Sequence, residues 1–148
     1  MADLPASVTA SSGFQPSAED IQSVKAWFVE YDGHAANADL ARMADMALFP
    51  LNVVSDDLSG NGSAAQWTRE QFIGAMSHVV AGAEDMRMES DRTPVFLTGQ
   101  LVLVVTNATF TTGDKTEAVR YADLLVKKDG RWLFQTMVQG GWGDQLTG

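Results

Sequence analysis

A chain of 148 residues with 45% hydrophobic and 20% charged side chains has the composition of one globular domain, long enough to bury roughly two-thirds of its unfolded surface. Lys plus Arg number 10 and Asp plus Glu 19, for a formal net charge of -9, which repels phosphate backbones and anionic membranes and argues against nucleic acid as a partner. With no cysteine, disulfides, thiolate chemistry and cysteine-ligated zinc are excluded, and two histidines argue against a multi-histidine metal site.

Residues 1–16 are rich in Ser, Ala and Pro and are expected to form a flexible tail without the basic start and apolar middle of a signal peptide. No apolar run approaches the roughly 20 residues that span a bilayer. The expectation is a cytoplasmic protein with no membrane partner, a single domain over residues 17–140 and a short tail over 141–148.

Ser17 with Asp20 three residues on forms a capping box, and Ile21, Val24, Trp27, Phe28 and Tyr31 repeat behind it at helical spacing. Gly33 is expected to break or bend this first helix. Asn37 then caps a second helix with Leu40, Met43, Ala44, Ala47 and Leu48 on its inner face, stopped by Pro50. Leu51 to Ser55 is a short β-like run, and Asp56 to Gln66, small and polar with glycine, predicts a surface loop. Thr68 and Gln71 box in a third helix whose buried stripe is Phe72, Ile73, Met76, Val79 and Val80, ended by Gly82.

From Met86 the period changes toward two. Met86 to Phe96, Leu101 to Thr111, Glu117 to Lys128 and Trp132 to Gln139 predict four strands with hairpin-short connections, hence an antiparallel meander with the helices on one face. The third and fourth strands meet at Asp129-Gly130, a dipeptide suited to positive φ at both turn positions. Tyr121, Asp123 and Leu125 share one face of that third strand, and Ala122, Leu124 and Val126 the other. Neither face is solvated by composition, so a core is expected on one side and a second layer or subunit on the other. Asp123 is the lone acid inside an apolar strand, and such a group needs a partner or its neutral form. Arg87 and Arg92 are the available ion-pair partners.

This order of elements resembles the nuclear transport factor 2-like superfamily, especially its SnoaL-like branch. The residues that carry the resemblance are NADLARMADMALF at Asn37 to Phe49, TREQFIGAM at Thr68 to Met76 and YADLLVKKDGRWLF at Tyr121 to Phe134. It implies an α+β fold, a cone-shaped barrel of a curved, mainly antiparallel sheet wrapped around three N-terminal helices, with an apolar pocket open at one end. It also implies a homodimer through the outer sheet face. The superfamily hosts isomerases, cyclases, dehydratases, epoxide hydrolases and proteins that only bind, so fold analogy does not choose among them.

Ketosteroid isomerase-like members use a tyrosine late in the first helix, a carboxylate base after the first strand and a second acid on a late strand. The resembling positions are Tyr31, Asp57 and Asp123. In such a trio a carboxylate takes a proton next to a carbonyl, while a tyrosine and a neutral acid donate to the developing oxyanion. His34, Trp67, Tyr121, Trp132 and Gln135 are the expected ligand-binding residues. His34 or His78 paired with Asp123 would suit dehydration or cyclisation, and an arginine between two carboxylates would suit water activation for epoxide opening. The family's later strands often end in histidines, where this chain has Gln135-Thr136-Met137-Val138-Gln139. The expectation is a protein with no cofactor and no metal that acts on a small apolar carbonyl ligand as an isomerase or cyclase. A small-ligand-binding or assembly module without turnover is the other reading.

Overall fold

The computed structural model describes residues 13–81 and 85–143. Helix α1 spans Ala18–Ala36, α2 Leu40–Asp45 and α3 Arg69–Ala81; the strands are β1 Ala47–Asp56, β2 Gly62–Trp67, β3 Arg87–Thr98, β4 Leu101–Thr112, β5 Lys115–Lys128 and β6 Arg131–Gln139. The six strands lie in the order β2-β1-β6-β5-β4-β3. All neighbours are antiparallel except β1 and β6, which run parallel. The sheet is therefore mainly antiparallel and open, with β2 and β3 as its edges, and not a closed barrel.

Helix α1 starts as the sequence predicts, Asp20 N–H donating to Ser17 Oγ and Ser17 N–H to Asp20 Oδ2. It runs straight through Gly33. An interior glycine costs only about 1 kcal/mol, and the stripe of Val24, Trp27, Phe28, Tyr31 and Ala35 packed on the core outweighs it. Asn37 thus caps the end of α1 instead of starting α2, whose N-cap is Asp39. Helix α2 is also shorter than periodicity suggests. Ala47 and Leu48 leave it for β1, where Ala47 pairs with Phe134 and Asn52 with Thr136 of β6. A short amphipathic run fits either element, and the long-range ladder decides. Pro50 does not stop a helix; it follows a cis peptide bond within the irregular stretch of β1 between Ala47 and Asn52, where a missing N–H is tolerated.

The expected loop after β1 is a hairpin. Asp57 closes the turn and residues 62–67 return as β2, Asp56 facing Gly62 and Leu51 facing Trp67. At the Asp129-Gly130 tip both residues have positive φ, 52° and 79°, as that dipeptide predicts. Helix α3 carries the predicted Thr68–Gln71 capping box and buries Phe72 and Met76, while Val79 is exposed. Gly82 lies outside the described residues, as do residues 1–12 and 144–148 of the two expected tails.

The core sits between the helices and one face of the sheet: Val24 and Phe28 of α1 and Phe72 of α3 against Leu51, Val53, Val102, Val104, Leu125 and Phe134. Two indole bonds fix α1 to β6, Trp27 Nε1 donating to the Trp132 carbonyl at 3.0 Å and Trp132 Nε1 to Ser23 Oγ at 3.1 Å. Beyond β6 the chain folds back over the end of β1. Gly141 N–H donates to Asp56 Oδ1 at 2.7 Å and Trp142 N–H to Ser55 Oγ at 2.8 Å, and Trp142 packs against the core.

One position in this fold is strained. Ala38, between α1 and α2, has φ 53°, where a Cβ crowds the following carbonyl at a cost of about 1–2 kcal/mol. Ala38→Gly removes that Cβ and is expected to raise unfolding stability by about 0.5–1 kcal/mol, after the added entropy of glycine in the unfolded chain is subtracted. A urea titration with an unchanged slope and a higher midpoint would verify this; an equal or lower midpoint would show that the turn carries no strain.

Candidate functional site

The polar side chains on the inner face of the sheet gather where α1 crosses β3, β4 and β5. Arg92 of β3 is opposite Thr106 of β4, which is opposite Tyr121 of β5. By alternation these three share one face, and Asp123 follows Tyr121 on it. Helix α1 supplies Phe28, Tyr31 and Asp32 from above. Phe28 and Asp32 are one turn apart, so both reach the same guanidinium.

Arg92 is the hub. Its Nη1 and Nη2 donate to Asp32 Oδ2 and Oδ1 at 2.7 and 3.2 Å, Nη2 donates also to Tyr121 Oη at 3.2 Å, and Nε donates to Thr106 Oγ1 at 3.3 Å. The guanidinium carbon lies 4.3 Å from the centre of the Phe28 ring, in cation–π range. The Arg92 side chain is 11% exposed and that of Asp32 39%. Burial works against the Arg92 charge, but the hydrogen bonds and charge of Asp32 more than compensate and raise its pKa. The bidentate, charge-assisted pair with Asp32 and the bonds to Thr106 and Tyr121 together take most of the donor capacity of the arginine.

Asp123 is in the opposite condition. It is opposite Val104 on β4 and Met137 on β6, and its carboxyl makes no hydrogen bond or ion pair with any described residue. Its carboxyl oxygens are nonetheless not sealed, since the one fully enclosed unpartnered side-chain atom among the described residues is Ser63 Oγ. Desolvation raises its pKa from 3.8 to about 7; the charge of Arg92 opposes the rise and that of Asp32 adds to it. An aspartate in this state exchanges a proton at neutral pH.

Tyr31 is the second unpartnered group. Its ring stacks on Trp27 at 5.4 Å and meets the Phe134 edge at 5.3 Å, while its hydroxyl makes no hydrogen bond with a described residue. Desolvation raises its pKa well above the ordinary 10.0, and the charge of Asp123 adds to the shift, ahead of Asp32 and Tyr121. It therefore stays a neutral donor. Tyr121 also titrates high, from desolvation first, with the Arg92 charge and hydrogen bond pulling the other way.

Of the residues expected at the site, Tyr31, Tyr121 and Asp123 come together. Asp57 does not join them. Its Oδ1 accepts from Ser59 N–H, Ser59 Oγ and Asn61 N–H at 3.0, 2.6 and 2.9 Å, and these bonds, led by Ser59, hold its pKa below 3.8. Its carboxylate is the hydrogen-bond acceptor of a turn. Trp132 is buried as a strut between α1 and β6, and Trp67 packs against the core from the end of β2. Gln135 sits at the register shift of β6, its amide 3.5 Å from the Pro50 carbonyl. His34 is in the last turn of α1, one turn beyond Tyr31, and His78 is exposed on α3. Neither ring bonds to a described residue.

Asp32 and Thr106 are absent from the sequence expectation, and Arg92 pairs with Asp32 instead of Asp123. A signal existed. Alternation puts Arg92 with Pro94 and Phe96 on the inner face of β3, and Thr106 with Val102 and Val104 on that of β4, so a buried cation there required an acid from the facing helix. Among the described residues no group of three His, Asp or Glu is arranged to hold a metal ion. No described helix is long and apolar enough to cross a membrane. An open hollow on this molecule lies elsewhere, lined mainly by the outward Glu89, Asp91, Asn107, Thr109 and Ala118.

No curated protein sequence matches the chain. Solved structures do. A nuclear transport factor 2-like protein of unknown function from Pseudomonas putida KT2440 superposes with a TM-score of 0.68 at 10% identity, over 85% of this chain and 89% of that one. A scytalone dehydratase candidate from Novosphingobium aromaticivorans DSM 12444 gives 0.60 at 16%, over 80% and 81%. A candidate dehydratase of the same superfamily from Streptomyces avermitilis gives 0.61 at 11%, over 83% and 96%. At these identities the likeness establishes the curved-sheet cone fold around N-terminal helices and nothing finer. The model of the SnoaL-like domain matches residues 24–139, and with the fold and the inner-face cluster in place the chain belongs to the SnoaL-like family of the nuclear transport factor 2-like superfamily.

Proposed function

We propose that the protein is a cofactor-independent acid–base enzyme, an isomerase or cyclase, acting on a small and largely apolar carbonyl compound. The observation that carries this reading is the unpartnered state of Asp123 beside Tyr31, with a pKa of about 7. A structural aspartate would be paired. In its ionised form Asp123 takes a proton from the carbon next to the carbonyl, the electron pair moves onto the carbonyl oxygen, and Tyr31 donates a hydrogen bond to the enolate so formed. Protonated Asp123 then returns the same proton at a conjugated carbon, so the step is an isomerisation with no net proton change. Trp27 and Phe134 supply apolar wall beside Tyr31. Asp57, held as a turn acceptor, has no part in this scheme, so one carboxyl serves as both acid and base.

A non-catalytic binding or dimeric assembly module is the second reading, and the outer sheet face favours it. Val95, Leu97, Leu101, Leu103 and Val138 are 36–56% exposed there, and Val95, Leu103 and Leu124 are successive neighbours across β3, β4 and β5. A contiguous apolar face of this kind suits a homodimer interface. Sedimentation equilibrium is expected to give a dimer for the native chain and a folded monomer for the pair Val95→Lys and Leu103→Lys; a native monomer would remove the assembly reading.

The acid–base reading is tested by following the Asp123 side-chain carbon by NMR. Titration near neutrality is expected, and a midpoint close to 3.8 would defeat the proposal. Folding stability carries the same signature. Asp123 binds its proton more tightly folded than unfolded, so its contribution falls as pH rises from about 4 to about 7 and is level above that. Asp123→Asn removes this slope and is expected to be more stable than the native chain above neutral pH, on the order of 2–4 kcal/mol. The same variant is expected to lose at least about a hundredfold in kcat on an enone substrate.

A further inference from the structure

Resting on that reading of Asp123, we propose that Asp32 sets the ligand class of the site: by clamping Arg92 it turns the arginine from an anion receptor into a support for Tyr121, whose hydroxyl then donates to an uncharged carbonyl oxygen beside Asp123. Arg92 and Asp32 are positioning residues in this scheme. Tyr121 is a second catalytic donor beside Tyr31.

An arginine on the inner face of an apolar sheet, 11% exposed, would by itself select a carboxylate or phosphate. Here both arms of its fork end on Asp32, at 2.7 and 3.2 Å, and Nε is taken by Thr106. The positive charge is balanced before a ligand arrives. The second bond of Nη2 goes to Tyr121 Oη at 3.2 Å, and Tyr121 precedes Asp123 by two residues on the same face of β5. A phenol oxygen that accepts a hydrogen bond polarises its own O–H and becomes a better donor. The Tyr121 proton has no acceptor among the described residues, because the only hydrogen bond of that side chain is the one it accepts.

Tyr121 and Asp123 are two apart on β5, which places their side chains side by side on the inner face. Tyr31 lies near enough for its ionisation to feel both. A carbonyl oxygen has two acceptor directions, and two phenols without acceptors stand next to one carboxyl. An anionic ligand in the same place would meet an arginine whose charge Asp32 already balances.

The test uses acetophenone and benzoate, matched in size and differing in charge, at about pH 6, where benzoate is ionised and Asp123 holds its proton. Wild-type protein is expected to bind acetophenone at least about tenfold more tightly than benzoate and to lower the carbonyl infrared stretch of the bound ketone. Tyr121→Phe is expected to reverse part of that lowering. Asp32→Asn frees the guanidinium charge and is expected to shift the ratio about tenfold toward benzoate, with circular dichroism and melting as the check on fold. The proposal is overturned by failure of acetophenone to bind, by equal binding of benzoate to the wild type, by an unchanged stretch in Tyr121→Phe, or by an unchanged ratio in folded Asp32→Asn. The first three need no Asp32 variant, so they decide even where that variant does not fold. No readout depends on turnover. A lost preference with Asp123 still titrating near 7 sinks this inference alone, and an intact preference with Asp123 titrating near 3.8 sinks the acid–base chemistry alone.

Discussion

A guanidinium on the inner face of a sheet packed against helices has to be neutralised, and here the neutralising acid comes from the helix. Arg92 and Asp32 tie α1 to β3 at 2.7 Å, a second attachment beside the indole bonds that hold α1 to β6. Removing Asp32 leaves the largely buried Arg92 charge without its match, a destabilisation reduced by the solvent that reaches the half-exposed carboxylate. The pair also has a geometric effect. Once the fork is fixed on Asp32, the Nε hydrogen goes to Thr106 on β4 and the second Nη2 hydrogen to Tyr121 on β5. One ion pair thus sets the rotamers of the polar inner face.

The state of Asp123 follows from the same pair. Desolvation raises the Asp123 pKa by more than the Arg92 charge lowers it, and Asp32 adds a like charge. Had Arg92 turned toward Asp123, that carboxyl would be an ordinary ion-paired aspartate. The arginine has one fork to give, and helix α1 presents Asp32 to it one turn beyond the Phe28 ring that the guanidinium covers. The perturbed acid and the satisfied arginine are therefore two sides of one competition, and Asp32 decides it.

How much of this was legible in the sequence differs by level. The capping boxes at Ser17 and Thr68, the positive-φ turn at Asp129-Gly130 and the period-two strands from residue 87 onward are local signals, and the structure carries each of them. Within residues 47–67 the run Leu51 to Ser55 was legible as β and lies in β1, but its extension back to Ala47 and the return strand over 62–67 were not, because ladders with β6, distant in the chain, and across the β1–β2 hairpin decide them. A helix end, a proline and a polar loop were the local preferences, and pairing overrode them. At the site, Asp123 stood out as a lone acid in an apolar strand. Asp32 did not, since an acid near the end of a helix has a solvated reading by default. Only the inward alternation of Arg92 would have asked for it.

The placement of Asp57 shows how a shared fold and a particular chemistry separate. In this chain the acid after the first strand closes a hairpin turn with Ser59 and Asn61, and no histidine bonds to the inner-face cluster. What the scaffold retains is the convergence of α1 with β3, β4 and β5 at one end of a curved sheet. Any chain with this topology brings a helix face and three strand faces to that point, and a change of one side chain there alters which charge is left unbalanced. Here that convergence leaves a balanced cation, two phenols without acceptors and one carboxyl poised near neutrality. Such a set moves a proton next to an uncharged oxygen more readily than it holds an anion.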